Sequence, residues 1–263
     1  MSEKNISEHV SGCGEWYSLP GPLSDVVCST RVRLARNLAD FPFPGHFKSD
    51  DPVRVQTLIF DAFLKSEKAD SYQALAVAGI DPLNAGLLIE RGLIQPSTLN
   101  SPGGGLVMRI NGKKANSGLV CTINDEDHVR ISCFCSGLDC DTAFENCLEV
   151  DELLQKSLQF AASYDFGYLT ANVKDCGSGM KLSARGQRPA MALLDEIGPF
   201  FESIVSKGVV AGPAFSSFVK AGAGIGNFYQ LSSNQAGTGS ELEQLINFTA
   251  VLKQTVEFER KCR

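Results

Sequence analysis

Residues 28–37 carry arginines within an alternation of polar and apolar side chains (Cys-Ser-Thr-Arg-Val-Arg-Leu-Ala-Arg-Asn). Side chains two positions apart project from the same face of a β-strand, so Arg31 and Arg33 would present two guanidinium groups about 7 Å apart. A guanidinium group binds phosphate oxygens through two parallel hydrogen bonds. The spacing therefore favours a polyphosphate site, and a solvated charged strand is the alternative.

Residues 124–130 (Asn-Asp-Glu-Asp-His-Val-Arg) place three consecutive carboxylates and an arginine between two apolar stretches. Mg²⁺ usually binds through one or two carboxylates and retains several of its waters. We interpret Asp125, Glu126 and Asp127 as a cluster that could hold hydrated Mg²⁺ and position a cationic acceptor. A charged surface turn is the alternative.

Several other kinds of site are excluded by their missing motifs. The chain has no Gly-x4-Gly-Lys-[Ser/Thr] sequence, which excludes a P-loop. The glycines of residues 222–226 have the wrong spacing for a dinucleotide fingerprint. Nine cysteines without a CxxC pair and three dispersed histidines argue against a zinc site, and favour reduced thiols buried as small apolar groups.

Hydrophobic periodicity predicts an α+β protein with a large antiparallel sheet flanked by helices. After an irregular N-terminal arm (residues 1–25), a single domain is predicted over 26–263. Predicted strands cover 26–36, 106–110, 118–123, 129–134, 166–171, 180–187 and 225–231. Predicted helices cover 53–64, 141–164, 189–207 and 241–260, with short helical signals within 72–100. In the strand 180–187, Lys181 and Arg185 fall on one face.

The composition is that of an ordinary soluble globular protein. Of the 263 residues, 43% are hydrophobic and 21% charged, with 24 basic against 30 acidic side chains. This acidic balance argues against nucleic acid or an anionic membrane as a partner. No apolar run reaches the roughly 18–20 residues that span a bilayer, and no hydrophobic stretch follows Met1. We therefore expect a cytoplasmic protein.

Two stretches, STRVRLARNLADFPFP (29–44) and INDEDHVRIS (123–132), resemble the hallmark strands of the phosphagen (ATP:guanidino) kinases. LLIERGLIQP (87–96) continues the similarity, which is greatest to the bacterial protein-arginine kinases. The resemblance implies transfer of the γ-phosphoryl group of ATP, with Mg²⁺, to a guanidine nitrogen. A protein substrate or a regulatory protein is the implied partner. Whether the protein forms a homodimer is left open. The separate N-terminal domain of animal phosphagen kinases has no counterpart here, so little activity on free arginine is expected.

The resemblance also assigns roles to individual residues. The implied phosphate clamp consists of Arg31, Arg33 and Arg130. Ser29 matches a nucleotide contact, and Asp125 stands near Mg²⁺, which it would hold through water. Glu126 matches the carboxylate that pairs with the acceptor guanidinium and serves as the base.

Part of the family pattern is altered in this chain. Lys181 replaces a fourth arginine, for which Arg185 on the same strand face is a partial substitute or merely a surface residue. Asn172 stands at the position of the reactive cysteine. Residues 209–240 contain no Arg, Asp or Glu, and Lys220 is their sole charged residue. Two hypotheses follow: an active guanidino phosphotransferase of the protein-arginine-kinase type, or a catalytically impaired pseudokinase that binds nucleotide or a partner.

Overall fold

A computed structural model describes residues 16–110, 117–214, 226–234, 236–237 and 239–263. Its strands are β1 (Val27–Arg36), β2 (Tyr72–Ala76), β3 (Gly105–Arg109), β4 (Ser117–Ile123), β5 (Val129–Ser136), β6 (Ala162–Ser163), β7 (Gly167–Tyr168), β8 (Met180–Gln187), β9 (Val209–Pro213) and β10 (Phe228–Ser233). Eight of them form one antiparallel sheet in the order β2-β3-β4-β5-β1-β8-β10-β9, and β6 pairs with β7. The predicted α+β architecture with a large antiparallel sheet is confirmed.

Six α-helices accompany the sheet in the described part of the chain. They are α1 (Asp51–Leu64), α2 (Pro82–Glu90), α3 (Cys140–Gln155), α4 (Pro189–Leu193), α5 (Ile197–Val205) and α6 (Glu241–Cys262). Asp81 caps α2, because its carboxylate accepts hydrogen bonds from the backbone N–H groups of Leu83 and Asn84. Within the described residues, no helix is both long enough and apolar enough to cross a bilayer.

Strand β1 lies at the centre of the sheet and divides its side chains between two environments. Val32 and Leu34 are fully buried in the main core, whereas Arg31 and Arg33 project from the opposite face. The main core lies between the sheet and α1, α3 and α6. The alternation of residue types along β1 therefore determines which face of the sheet is apolar.

A smaller core covers part of the opposite face. Leu88 of α2 and the following Leu93 and Ile94 pack on Leu106 and Met108 of β3. This cover lies over the β3–β4 side of the sheet and leaves polar side chains of β5 and β1 lining one cavity and Arg185 of β8 lining another. The open part is where the arginines of β1 project.

Several predicted elements differ in length from those observed. The helix predicted over 141–164 ends at Gln155, and that predicted over 189–207 is two helices separated at Asp195, whose φ is 56°. The strand predicted over 166–171 is reduced to Gly167–Tyr168. The edge strands β2 and β9 were not predicted; β2 is rich in alanine, and β9 ends in proline, which only an edge strand tolerates well.

The described part of the N-terminal arm runs along β5. It begins with a single 3-10 turn (Trp16–Ser18). The hydroxyl of Ser136 donates a hydrogen bond to the carbonyl of Leu19, and the N–H of Leu138 donates to the carbonyl of Pro22 at 2.7 Å. A Cβ at Gly21 would lie 2.0 Å from the carbonyl oxygen of Ser136, so only glycine allows this close approach. The division at residue 25 stays a prediction.

Most of the cysteines are buried reduced thiols, as predicted. Cys121, Cys133, Cys135, Cys140 and Cys147 are all buried and free of disulfides. Burial raises the pKa of Cys121 above its ordinary value, which keeps this thiol protonated and unreactive. Cys13 lies outside the described residues.

Candidate active site

Five cationic side chains project from the same face of three adjacent strands, and we call this surface the cationic face. In the sheet register, Arg33 lies opposite Lys181 of β8, and Ser29 lies opposite Arg185. Ala35 lies opposite Arg130 of β5. Residues directly opposite each other share a face, as do residues two apart along β1. The structure thus places on one face all the side chains predicted to bind the nucleotide: Ser29, Arg31, Arg33, Arg130, Lys181 and Arg185.

Arg31 contributes an unpartnered hydrogen-bond donor to the cationic face. Its Nε is buried and has no hydrogen-bond partner among the described residues. Burial lowers the pKa of Arg31 to about 9, and the nearby charges of Arg33, Arg185 and Arg130 act in the same direction. A buried cation beside other cations is costly, so a bound anion would relieve an existing strain at this position.

Arg33 has a partner that sequence analysis did not identify. Its guanidinium forms an ion pair with the carboxylate of Asp175, and the two side chains are only 12% and 7% exposed. The Nε of Arg33 is buried without a partner within the described part of the chain. Burial and the charge of Arg130 lower the pKa of Arg33, and Asp175 opposes that shift. In the sequence, the only sign of this pair was that Asp175 lies shortly before β8, the strand that carries Lys181 and Arg185.

Lys181 of β8 lies directly opposite Arg33 in the sheet. Burial lowers the pKa of Lys181, Asp175 opposes the shift, and the charges of Arg33 and Arg31 add to it. A lysine at this position supplies a point charge but lacks the planar fork of an arginine.

The three carboxylates of residues 125–127 do not form a single cluster. Arg130 contacts all of them: its Nε donates to Asp127 at 3.0 Å, it forms an ion pair with Glu126, and it lies 3.9 Å from Asp125. Asp127 is fully buried and also accepts a hydrogen bond from Asn37, so its role is structural. The side chain of Glu126, in contrast, is 62% exposed and available to a ligand.

Asp125 lies between two cavities. One is lined by Arg31, Arg33 and Arg130 of the cationic face. The other, of about 760 Å³, is lined by Asp125 and Glu126, and we call it the acceptor cavity. Burial raises the pKa of Asp125, and the charge of Arg130 opposes this. In the described residues no group of three or more His, Cys, Asp or Glu could hold a metal by itself.

The acceptor cavity combines apolar walls with a carboxylate. Phe47 and Pro102 line it together with Glu126, Asn172 and Lys174. The amide oxygen of Asn172 accepts a hydrogen bond from the backbone N–H of Lys174, so this side chain shapes the turn beside the cavity. A planar cation bound in this cavity would contact apolar side chains and one exposed carboxylate, that of Glu126.

A third cavity, of about 490 Å³, extends the cationic face beyond Arg185. The Nε of Arg185 donates to the amide oxygen of Gln230 at 2.9 Å. Gly92, Ile94 and Gln95 line both this cavity and the one beside Arg31 and Arg33. Lys220 and the rest of residues 215–225, together with 235 and 238, lie outside the described residues, so the prediction for 209–240 rests on sequence alone.

Comparisons with known proteins identify a family of related sequences. Residues 54–262 match the family model for "ATP:guanido phosphotransferase, C-terminal catalytic domain". The protein-arginine kinase of Syntrophomonas wolfei subsp. wolfei is 34% identical over 245 residues, which is 91% of this chain and 66% of that protein. That of Geobacillus stearothermophilus is 31% identical over 252 residues, 94% of this chain and 67% of that protein. This chain thus spans about two thirds of the length of these relatives.

A solved structure shares the fold. The duplicated taurocyamine kinase from Schistosoma mansoni, with bound transition state analog components, superimposes with a TM-score of 0.78. The two are 20% identical, and the match covers 94% of this chain and 35% of that chain.

Proposed function

The chain belongs to the ATP:guanido phosphotransferase family, and from that membership we propose that it transfers the γ-phosphoryl group of ATP to an arginine side chain of a protein substrate. The observation that carries the proposal is the cationic face, where two buried guanidinium Nε atoms lack partners among the described residues, next to a cavity with an exposed carboxylate. The protein substrate is proposed because the relatives described above are named protein-arginine kinases.

The cationic face suits a polyphosphate. The unpartnered Nε atoms of Arg31 and Arg33 are donors that phosphate oxygens would satisfy. Arg130 and Lys181 would add charge, and Arg185 would partly replace the missing fourth arginine. Ser29 would contact the nucleotide. Asp125 borders both cavities and would hold Mg²⁺ through water, since a single carboxylate suits a hydrated ion.

Glu126 is the proposed base on the acceptor side. ATP supplies the phosphoryl group: a guanidine nitrogen forms a bond to the γ-phosphorus, the bond from that phosphorus to the bridging oxygen breaks, and ADP leaves. The nitrogen gives up a proton, which Glu126 would accept. Phosphoryl transfer makes little covalent demand on the protein, so positioning and charge supply most of the rate. The arginines of the cationic face would stabilise the charge on the transferring group.

A second function, nucleotide binding without transfer, is favoured by one observation. Residues 209–240 contain no acidic side chain, so no carboxylate of that segment can hold the acceptor opposite Glu126. In this case the chain would be a regulator that binds nucleotide or a protein partner.

The proposal is tested with the purified protein, ATP, Mg²⁺ and an arginine-rich protein. Acid-labile phosphate on arginine, absent when ATP is replaced by a non-hydrolysable analogue, is the expected result. ADP binding without any phosphoarginine would favour the regulator. If neither ADP nor ATP bound, the proposal of a nucleotide site would be refuted.

A further inference from the structure

Two aromatic rings are layered on Arg31. The ring of Trp16, in the N-terminal arm, stacks on that of Phe134 with 5.6 Å between centroids and an angle of 18° between planes. Phe134 lies opposite Arg31 in the sheet, and the guanidinium carbon of Arg31 is 5.8 Å from the centroid of its ring. Trp16 and Arg31 therefore both contact the ring of Phe134, and we call these three side chains the stack.

Within this stack, Phe134 gives the guanidinium of Arg31 an aromatic contact in place of an ion-pair partner. Arg33 has Asp175 as its ion-pair partner, and Arg130 has Glu126. For Arg31 the described residues offer no carboxylate, and its Nε has no acceptor. A cation over an aromatic ring is attracted by the electrons of its face, so Phe134 takes the place of an anionic partner.

The arm is fixed firmly enough to hold Trp16 in place. Leu19 and Pro22 accept hydrogen bonds from Ser136 and Leu138, as described above. The guanidinium of Arg91 also lies over the ring of Tyr17, at 6.0 Å from its centroid. Arg91 immediately precedes residues 92–95, which wall the cationic face. The arm therefore also contacts the segment of chain that leads into this wall.

We infer that Trp16 is a positioning residue for Arg31, acting through Phe134, and that the N-terminal arm is thereby part of the phosphate site. The stack orients the guanidinium before any ligand arrives, which reduces the entropy lost on binding. The part of this inference that concerns phosphate rests on the proposed function, whereas the orientation of Arg31 does not.

The first experiment needs no nucleotide. The Nε–H proton of Arg31 is observed by NMR and assigned by its loss in Arg31→Lys. We expect a signal displaced by the aromatic rings and slow to exchange with solvent. In Trp16→Ala it should move toward the usual arginine position or vanish through exchange, and Trp16→Phe should restore it. Leu64→Ala, at a side chain 72% exposed on α1, is the control. An unchanged signal in Trp16→Ala would overturn the inference.

The second experiment measures ADP affinity by calorimetry. Trp16→Ala should weaken binding by about five- to tenfold, whereas Trp16→Phe should stay within about twofold of the wild type. Trp16→Leu, which keeps apolar volume but not the ring, replaces Trp16→Ala should the latter fail to fold. Urea unfolding of each variant separates lost stability from lost affinity. Equal ADP affinity in Trp16→Ala and the wild type would contradict the inference. Absence of ADP binding in the wild type with the NMR result intact would instead refute the proposed function alone.

Discussion

Arg33 and Asp175 form a buried ion pair at the centre of the cationic face, although 142 positions separate them in the chain. The pair places a carboxylate beside a guanidinium that we assign to a phosphate group. An incoming phosphate oxygen and Asp175 would share the same cation, and their negative charges would repel each other. Asp175 is therefore expected to limit nucleotide affinity while stabilising the folded protein.

Asp175→Asn should strengthen ADP binding by about three- to tenfold, because it removes a negative charge beside the phosphates and keeps a hydrogen-bonding side chain. The same change should lower the free energy of unfolding by about 1–3 kcal/mol, since Arg33 loses a charged partner. Calorimetric titration and urea unfolding measure the two effects. Asp61→Asn, which removes a more exposed carboxylate paired with Lys65, is the charge-matched control. Weaker ADP binding in Asp175→Asn would show that Asp175 helps to hold the nucleotide.

Nucleotide affinity should depend on pH through Arg31. Its folded-state pKa of about 9 lies well below the ordinary value of an arginine, so its charge is complete at pH 7 and is lost as the pH rises through 9. ADP binding should therefore weaken between about pH 8 and about pH 10, with uptake of a proton on binding at the upper end.

The matching control is Arg31→Gln, which has no charge to lose at this position. Its ADP affinity should be low at neutral pH and should decline less between about pH 8 and about pH 10. The remaining decline reports Lys181, whose pKa is also lowered by burial. Titrations in buffers of different ionisation enthalpy count the protons taken up. If ADP affinity depended on pH identically in the wild type and in Arg31→Gln, Arg31 would not be part of the nucleotide site.

Glu126→Gln should reduce phosphoryl transfer by at least about a hundredfold, because the amide cannot accept the proton or balance the acceptor charge. ADP affinity should change little, since the arginines of the cationic face set it. Stability should stay within about 0.5 kcal/mol of the wild type because the side chain is largely exposed. Phosphoarginine formation and ADP titration are measured on the same preparations. Glu152→Gln, an exposed position on α3, serves as control. Transfer that survives Glu126→Gln nearly intact would place the base elsewhere.

Lys181→Arg should raise the transfer rate, by about threefold or more, because the planar fork makes two hydrogen bonds where lysine makes one point contact. Lys181→Met, which keeps similar volume without charge, should lower both the rate and ADP affinity. A coupled ADP-release assay on the three proteins gives the comparison. Equal transfer rates in Lys181→Arg and Lys181→Met would show that residue 181 does not belong to the phosphate site.

The cationic face was predictable because it depends on short-range periodicity. Two arginines two residues apart in a strand share a face whatever the rest of the fold, and the alternation around Arg31 and Arg33 identified that strand. Lys181 and Arg185 were placed on one face by the same rule. The two pairs of cations then share one surface because β1 and β8 are neighbours in the sheet, as their register shows.

The remaining parts of the site depend on contacts that periodicity does not encode. The carboxylates of residues 125–127 diverge because the chain turns at Asn124, whose φ is 54°, and Asp127 enters the interior. Asp175 reaches Arg33 from a turn remote in sequence. The packing of Trp16 on Phe134 also joins distant segments, and nothing in the composition of the arm indicated it.

Asp125 borders both the cationic face and the acceptor cavity, and this shared wall has a thermodynamic consequence. A nucleotide on one side and a guanidinium on the other would act on the same carboxylate, so their binding free energies would not be independent. Linkage then requires that each substrate change the affinity of the other by the same factor, whichever binds first. A neutral residue in place of Asp125 would bring this factor closer to one, and the ternary complex would lose synergy even where each binary complex still formed.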